Sequence, residues 1–177
     1  LHHEMEPVLE AVEAKAPTTV PAFDRSQPTA ALLVAGYGGL GVHTLLSIVR
    51  IFKGHYRNLV IVCVGVLDSG EFKGENAVDA LQARCDDTVA KYVALARKLG
   101  LPAVGRTALG TDVVEEGERL CLTVAREFPE TTFFAGQIIF QREAWYQHLL
   151  HNETAFAIQK RLHWNGKAMM ILSARVR

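Results

Sequence analysis

Hydrophobic residues follow two alternating patterns from Thr29 onward. Short apolar runs predict β-strands, and between them apolar residues recur every three or four positions, which predicts amphipathic helices. The first two runs and the last are apolar almost throughout, as in a parallel sheet that helices cover on both faces. The predicted strands are 30–35, 59–67, 103–109, 132–135 and 168–173.

Capping residues and helix breakers delimit four helices between these strands. The first begins near Leu40, the second ends at Gly100, and the third begins after Asp112, which has Glu115 three positions later as in a capping box. The fourth spans about 142–162, with Asn152 as a point where it can be interrupted, and ends near 165–166. Strict alternation of strands and helices predicts an α/β fold with a doubly wound, five-stranded, mostly parallel sheet. We expect these central strand residues to be buried: Leu33, Val34, Ile61, Cys63, Val64, Phe134, Met170 and Ile171.

Four glycines lie between the first predicted strand and the first helix. Gly36, Gly38 and Gly41 match the G-x-G-x-x-G fingerprint of dinucleotide-binding folds, in which backbone N–H groups hold a phosphate. That fingerprint has an acidic residue about 20 positions further on, whereas the first acidic candidate here, Asp68, follows Gly41 by 27 positions. A tight strand-to-helix turn is the simpler explanation of these glycines. Because Leu45 adds bulk with Leu46 in the next helical turn, we predict negligible NAD binding and no cofactor.

The carboxyl ends of parallel strands meet at one edge of the sheet, where doubly wound folds bind ligands. The predicted loops at this edge are 36–41, 68–75, 110–112 and 136–142. An anion would suit the helix N-terminus there, since no acidic side chain lies within the glycine turn. Alternatively, the same residues only close turns, or pack against a partner. The candidate ligand-binding residues are Gly36, Gly38, Gly39, Gly41, Asp68, Ser69, Gly136 and Gln137.

Composition narrows the range of partners. The chain has 177 residues with 19 Lys plus Arg and 19 Asp plus Glu, so no net charge attracts it to nucleic acid or to an anionic membrane. Three isolated cysteines, Cys63, Cys85 and Cys121, fit reduced core thiols in a cytosolic compartment. No apolar run reaches the roughly 18 residues that a membrane span needs.

Catalytic and metal-binding motifs are missing from the sequence. It contains no G-x-S-x-G, no G-x-x-x-x-G-K-[ST] and no H-E-x-x-H motif. His148 and His151 have a helical spacing beside Glu153, but no second pair of His or Cys ligands accompanies them. We therefore expect no catalytic residues, no metal site and no enzyme activity.

The amino-terminal residues differ in character from the rest. Residues 1–4 are either a tag remnant or the end of an upstream segment, 5–15 suggest a short helix, and 16–28 are rich in proline and polar residues. The sequence thus predicts a linker region at 1–28 and a single α/β domain at 29–177.

Four segments together, 34–46, 64–70, 110–116 and 149–159, resemble the carboxy-terminal cytosolic domain of bacterial permeases of the amino acid, polyamine and organocation superfamily. The resemblance covers roughly residues 28–177. It implies a non-catalytic regulatory or assembly domain, attached to a transmembrane domain of the same polypeptide at the cytoplasmic face of the bacterial membrane. A small-molecule effector and a second copy of the chain are further expected partners.

The same region is similar in layout to universal stress protein domains, which implies strand order 3-2-1-4-5 and often dimers. It departs from the ATP-binding subclass of that family, because Gly136 is followed by no further glycine until Gly166. The alternative hypothesis is a nucleotide-binding protein, either a dinucleotide enzyme or a stress-type ATP binder. An open reading frame with about a dozen apolar spans of roughly 20 residues upstream would favour the permease hypothesis.

Overall fold

The structure, a computed structural model, describes residues 19–67, 75–140 and 145–176. The helix suggested at 5–15, as well as Asp68 and Ser69, lie outside the described residues. In the described part, five strands alternate with four helices: β1 Thr29–Val34, α1 Gly39–Ile51, β2 Asn58–Val66, α2 Glu75–Lys98, β3 Ala103–Gly110, α3 Val113–Glu127, β4 Thr131–Phe140, α4 Trp145–Trp164 and β5 Met169–Val176.

The described strands form one parallel sheet in the order β3-β2-β1-β4-β5. The central strand β1 pairs with β2 from Thr29 opposite Asn58 onward, and with β4 from Thr29 opposite Thr131. The winding direction therefore reverses between β1 and β4. This arrangement confirms the predicted doubly wound α/β fold.

Helices cover both faces of the sheet and form two hydrophobic cores. On one face, α1 and α2 bury side chains such as Leu45 and Tyr92 against Leu32 and Ile61. On the other face, α3 and α4 bury Cys121, Ile158 and others against strand residues that include Val62 and Phe133. Successive strand residues point to opposite faces, so both cores need apolar residues, and the strands are apolar at nearly every position.

The predicted burial holds fully at three of the eight positions, partly at four and fails at one. Ile61, Cys63 and Phe134 are fully buried, whereas Leu33, Val34, Val64 and Ile171 are partly buried. Met170 is 36% exposed, so its predicted burial is wrong. The reason is that β5 is an edge strand on which Met169, the preceding residue, packs into the core beneath α4 while Met170 faces the opposite side.

The helix boundaries follow the predicted signals closely. The Asp112 carboxylate accepts hydrogen bonds from the amides of Val114 at 2.8 Å and Glu115 at 3.0 Å, so it caps α3 as expected. Gly100 has a φ of 84° and follows α2, where the amide of Leu101 donates to the carbonyl of Ala96. This is the left-handed turn that the glycine predicted.

Two predictions near the carboxyl end need correction, the end of β4 and the interruption of α4. The structure extends β4 to Phe140 instead of ending it at residue 135, because its apolar continuation pairs with β5 as far as Val176. Gly136 and Gln137 are therefore strand residues and not part of a loop. The suggested interruption at Asn152 is also absent, since α4 is continuous across that position from Trp145 to Trp164.

Residues 19–28 contain no helix or strand, yet they contact the domain. The ring of Phe23 lies 5.1 Å from that of Phe128 at the end of α3. The buried side chain of Asn58 is hydrogen bonded to the backbone of Asp24 through both its amide nitrogen and its oxygen. This segment is thus anchored at the amino edge of the sheet.

Candidate ligand-binding site

A cavity of about 470 Å³ lies at the carboxyl edge of the sheet, where the winding reverses between β1 and β4. Its volume is within the range of about 300–1,000 Å³ that is common for small-molecule sites. The glycine turn after β1 forms one wall, and residues of α3 and α4 form another. Its lining comprises residues 33–41, Val62, Val64, Val113, Ala135, Gly136, Thr154, Ala155 and Ile158.

The described lining of this cavity carries no charged side chain. Its polar side-chain groups are the hydroxyls of Tyr37 and Thr154, and the remaining polarity comes from the backbone. The thiol of Cys63 in β2 packs in the core beneath α1 and α2 and does not line the cavity, and burial raises its pKa to about 12, so it is protonated at neutral pH. The arrangement suits an uncharged organic group better than a polar or charged one.

The amino terminus of α1 borders this cavity and has no side-chain cap. Gly38 occupies the N-cap position in an extended conformation, with φ −170°, and no acidic residue follows in the first turn. The first helical amide with a backbone partner is that of Val42, which donates to the carbonyl of Gly38 at 3.1 Å. Within the described residues, the amides of Gly39, Leu40 and Gly41 have no acceptor, so the positive end of the helix is open.

Packing requires glycine at some positions of this edge and not at others. A Cβ atom at Gly41 would collide with the Tyr92 hydroxyl, and one at Gly136 would lie 2.8 Å from the side chain of Leu40. By contrast, a Cβ atom at Gly36 or Gly38 would meet no described atom within 4 Å, and neither residue has a positive φ. Gly36 and Gly38 are therefore not required by the packing or the backbone conformation that the structure describes.

The structure brings together five of the eight predicted site residues. Gly36, Gly38, Gly39 and Gly41 line the cavity with Gly136. Gln137 is not among the lining residues; it lies one position beyond Gly136 in β4, opposite Ser173 of β5. Asp68 and Ser69 lie outside the described residues.

Sequence reasoning missed the contributions of three helices. Val113 of α3 and Thr154, Ala155 and Ile158 of α4 line the cavity, but their sequence pattern indicates only ordinary core positions. Tyr92 of α2 also contacts the glycine turn, with its hydroxyl 3.0 Å from the carbonyl oxygen of Gly36. A tyrosine within an otherwise apolar helix stripe indicates that its hydroxyl has a partner, but the stripe does not say which.

The described residues contain neither a cluster of metal ligands nor a helix that could span a membrane. No cluster of three or more His, Cys, Asp or Glu side chains in these residues could hold a metal ion. The side chains of His148 and His151 are outside the described part. None of the helices, as far as the structure describes them, has the length and hydrophobicity needed to cross a bilayer.

Two solved structures with a similar fold are universal stress proteins. No family model matches the sequence, and no curated protein matches it significantly. A protein from the universal stress protein family from Burkholderia pseudomallei superimposes with a TM-score of 0.53 at 18% identity, covering 86% of this chain and 100% of that chain. A universal stress protein from Archaeoglobus fulgidus gives a TM-score of 0.55 at 12% identity, covering 82% of this chain and 93% of that one. The chain therefore has a universal-stress-protein-like α/β fold.

Proposed function

We propose that this chain is a non-catalytic regulatory domain that binds a small effector in the cavity between β1 and β4. The effector has an uncharged body, which occupies the apolar cavity, and one anionic group, which receives hydrogen bonds from the open amino terminus of α1. The observation that carries this proposal is the combination of a cavity whose described lining has no charged side chain with a helix terminus on its border that has no side-chain cap.

The glycine turn supports binding through the backbone. Gly36 and Gly38 leave open space where other residues would place a side chain, so a ligand can approach the main chain closely. An anion at the terminus of α1 would satisfy amides that have no acceptor among the described residues, and it would interact favourably with the helix dipole. The described cavity wall offers no His, Cys, Lys or carboxylate, which supports binding over catalysis.

We further propose that the domain belongs to an amino acid permease-like membrane transporter, with the transmembrane domain of the same polypeptide as its partner. Support for this part comes from the sequence resemblance alone. The test is the full-length gene. About a dozen apolar spans of roughly 20 residues upstream of Leu1 would support the transporter assignment, and an upstream region without them would overturn it.

A universal stress protein that binds nucleotides is the second candidate, favoured by the similar fold and by a cavity at the reversal point of the sheet. Calorimetric titration with adenosine monophosphate, octanoate, ATP, NAD and sulfate separates the candidates. The effector proposal predicts that octanoate, with an apolar body and one anionic head, binds more tightly than sulfate or NAD. Tight binding of adenosine monophosphate or ATP without binding of octanoate would favour the second candidate, since both compounds are nucleotides.

Two variants of one glycine test the position of the anionic group. Gly38→Asp places a carboxylate at the helix terminus, where it caps the free amides and repels an anion, so we expect affinity to fall at least about tenfold. Gly38→Asn provides a similar cap without the charge and serves as the matched control. Both variants should fold, because the position has open space. Equal affinities in Gly38→Asp and the unmodified protein would contradict the proposal.

A further inference from the structure

The glycine turn is held by a side chain that is far away in the sequence. Tyr92 of α2 is completely buried, and its hydroxyl reaches the turn beneath α1. The hydroxyl donates to the carbonyl oxygen of Gly36 at 3.0 Å and accepts from the amide of Gly38 at 3.3 Å. One phenol oxygen therefore bridges both ends of the stretch Gly36 to Gly38.

From these contacts we infer that Tyr92 is a positioning residue of the candidate site, which locks the glycine turn in the shape that presents the amides of Gly39, Leu40 and Gly41 to a ligand. The inference deepens the proposed function and rests on it where ligand affinity is concerned. We call the two hydrogen bonds of the Tyr92 hydroxyl, to Gly36 and Gly38, the lock. Both are contacts within the chain, so the lock can be tested without a ligand.

The third glycine of the motif belongs to this lock. A Cβ atom at Gly41 would collide with the Tyr92 hydroxyl and would lie 2.7 Å from the ring carbon that bears it. Gly41 therefore allows the phenol to pass beneath the first turn of α1. Tyr37 completes the arrangement, since its ring packs on that of Tyr92 with centroids 4.9 Å apart.

The lock also selects among anions. A turn with four glycines has many accessible conformations when free, and holding it in one conformation lowers the entropy lost on binding. The amide of Gly38 already donates to Tyr92, so it is withdrawn from the donors that a ligand can use. In dinucleotide-binding folds the second glycine of the motif lets the backbone approach the diphosphate. Here the amide of that glycine, Gly38, is hydrogen bonded to Tyr92. Three amides remain for a ligand, and this favours a single anionic group.

Burial has a further effect on this hydroxyl. It raises the pKa of Tyr92 to about 12, with the Gly38 hydrogen bond acting in the opposite direction. The phenol is therefore protonated at physiological pH and can donate to Gly36 while it accepts from Gly38. The lock is complete over the whole neutral range.

Amide hydrogen exchange measured by NMR on the folded chain tests the lock directly. Tyr92→Phe removes only the hydroxyl, and we expect exchange at the Gly38 amide to accelerate at least tenfold relative to core amides such as that of Ile61. Tyr37→Phe is the matched control, because the Tyr37 hydroxyl has no described hydrogen bond, and it should leave Gly38 exchange unchanged. Gly41→Ala displaces the phenol sterically and should accelerate the same amide in a protein that retains Tyr92.

The possible results separate the lock from the proposed function. An unchanged Gly38 amide in Tyr92→Phe, equal acceleration of all amides, or an equal effect of Tyr37→Phe would overturn the lock. Titration of Tyr92→Phe with octanoate should then show an affinity about tenfold weaker than in the unmodified protein. If octanoate does not bind the unmodified protein, the proposed function fails, while the exchange data still decide the lock.

Discussion

The two edges of the sheet satisfy their polar groups in opposite ways. At the amino edge, the amide of Asn58 is buried and hydrogen bonded to Asp24 and to the Thr29 hydroxyl, and the Arg106 guanidinium binds the Glu127 carboxylate. At the carboxyl edge, the terminus of α1 has free amides beside a cavity without charged groups in its described lining.

This contrast teaches that a cavity alone does not mark a site. A cavity of about 550 Å³ lies at the amino edge as well, with Asp24, Lys53 and Arg57 on its walls. The buried amide there already has partners within the chain, which stabilise the packing of residues 19–28. The carboxyl edge combines space with a helix N-terminus whose first amides have no acceptor among the described residues, and we therefore place the ligand there.

The largest effect should come from the sheet that both edges share. Ile61→Asp buries a carboxylate in the centre of β2, at a cost comparable with the total stability of a domain, about 5–15 kcal/mol. We expect loss of the cooperative unfolding transition in circular dichroism. Ile51→Asp, at a position that is 57% exposed, is the matched control and should change stability by less than about 1 kcal/mol. A folded Ile61→Asp variant would contradict the assigned core.

The next effect separates the two edges. Asn58→Leu keeps a similar volume but removes the hydrogen bonds of the buried amide to the backbone of Asp24 and to the Thr29 hydroxyl, so we expect a loss of about 2–3 kcal/mol in urea denaturation. The same variant should bind octanoate with unchanged affinity, because the carboxyl edge is not altered. If the free energy of octanoate binding falls by as much as the free energy of unfolding, the two edges are coupled and the contrast between them is wrong.

A third prediction compares the two helix termini at the carboxyl edge. Asp112→Ala removes the side-chain cap of α3 and should lower the free energy of unfolding by about 1 kcal/mol. Asp112→Asn retains a capping oxygen and should recover most of the loss. Equal stability of Asp112→Ala and the unmodified protein would show that the cap is not needed.

The ion pair at the amino edge should give a smaller and pH-dependent effect. The hydrogen bond from Arg106 holds the pKa of Glu127 below its ordinary value of 4.5, although burial acts in the opposite direction. A lowered pKa contributes stability that is present above pH 4.5 and is lost as the pH falls through the lower folded value. Glu127→Gln should therefore cost about 1 kcal/mol or less at pH 7 and nothing at pH 2. Urea denaturation at both pH values checks this, and a pH-independent difference would refute it.

The smallest expected effect is a small increase in stability. Gly38→Ser adds a hydroxyl at the uncapped N-cap of α1, where the backbone is extended and a Cβ atom has open space. We expect a few tenths of a kcal/mol of added stability by thermal denaturation. Destabilisation would indicate that Gly38 is required by the fold itself, which would weaken the argument that its open space serves a ligand.

The sequence predicted the elements better than it predicted the site. Strand runs and helix caps placed every described strand and helix, with β4 as the main error, because the glycine at 136 suggested a turn where Ile138 to Phe140 continue the strand. For the site, the glycine turn was correctly located at the cavity. Gln137, by contrast, does not line the cavity. The lining residues of α4 were missed because apolar helix positions have the same sequence pattern whether they face a core or a cavity.

The sequence by itself determined which segments are strands and helices, because periodicity, caps and breakers act locally along the chain. It also determined the α/β class, since strict alternation of these elements permits few topologies. Only the tertiary structure decided what the glycines do. Tyr92 lies 54 positions from Gly38, and no local pattern records that its hydroxyl accepts the Gly38 amide or that Gly41 makes room for it. Contacts between distant elements depend on how the layers pack, and this packing distinguishes a glycine that serves the fold from one that leaves space for a ligand.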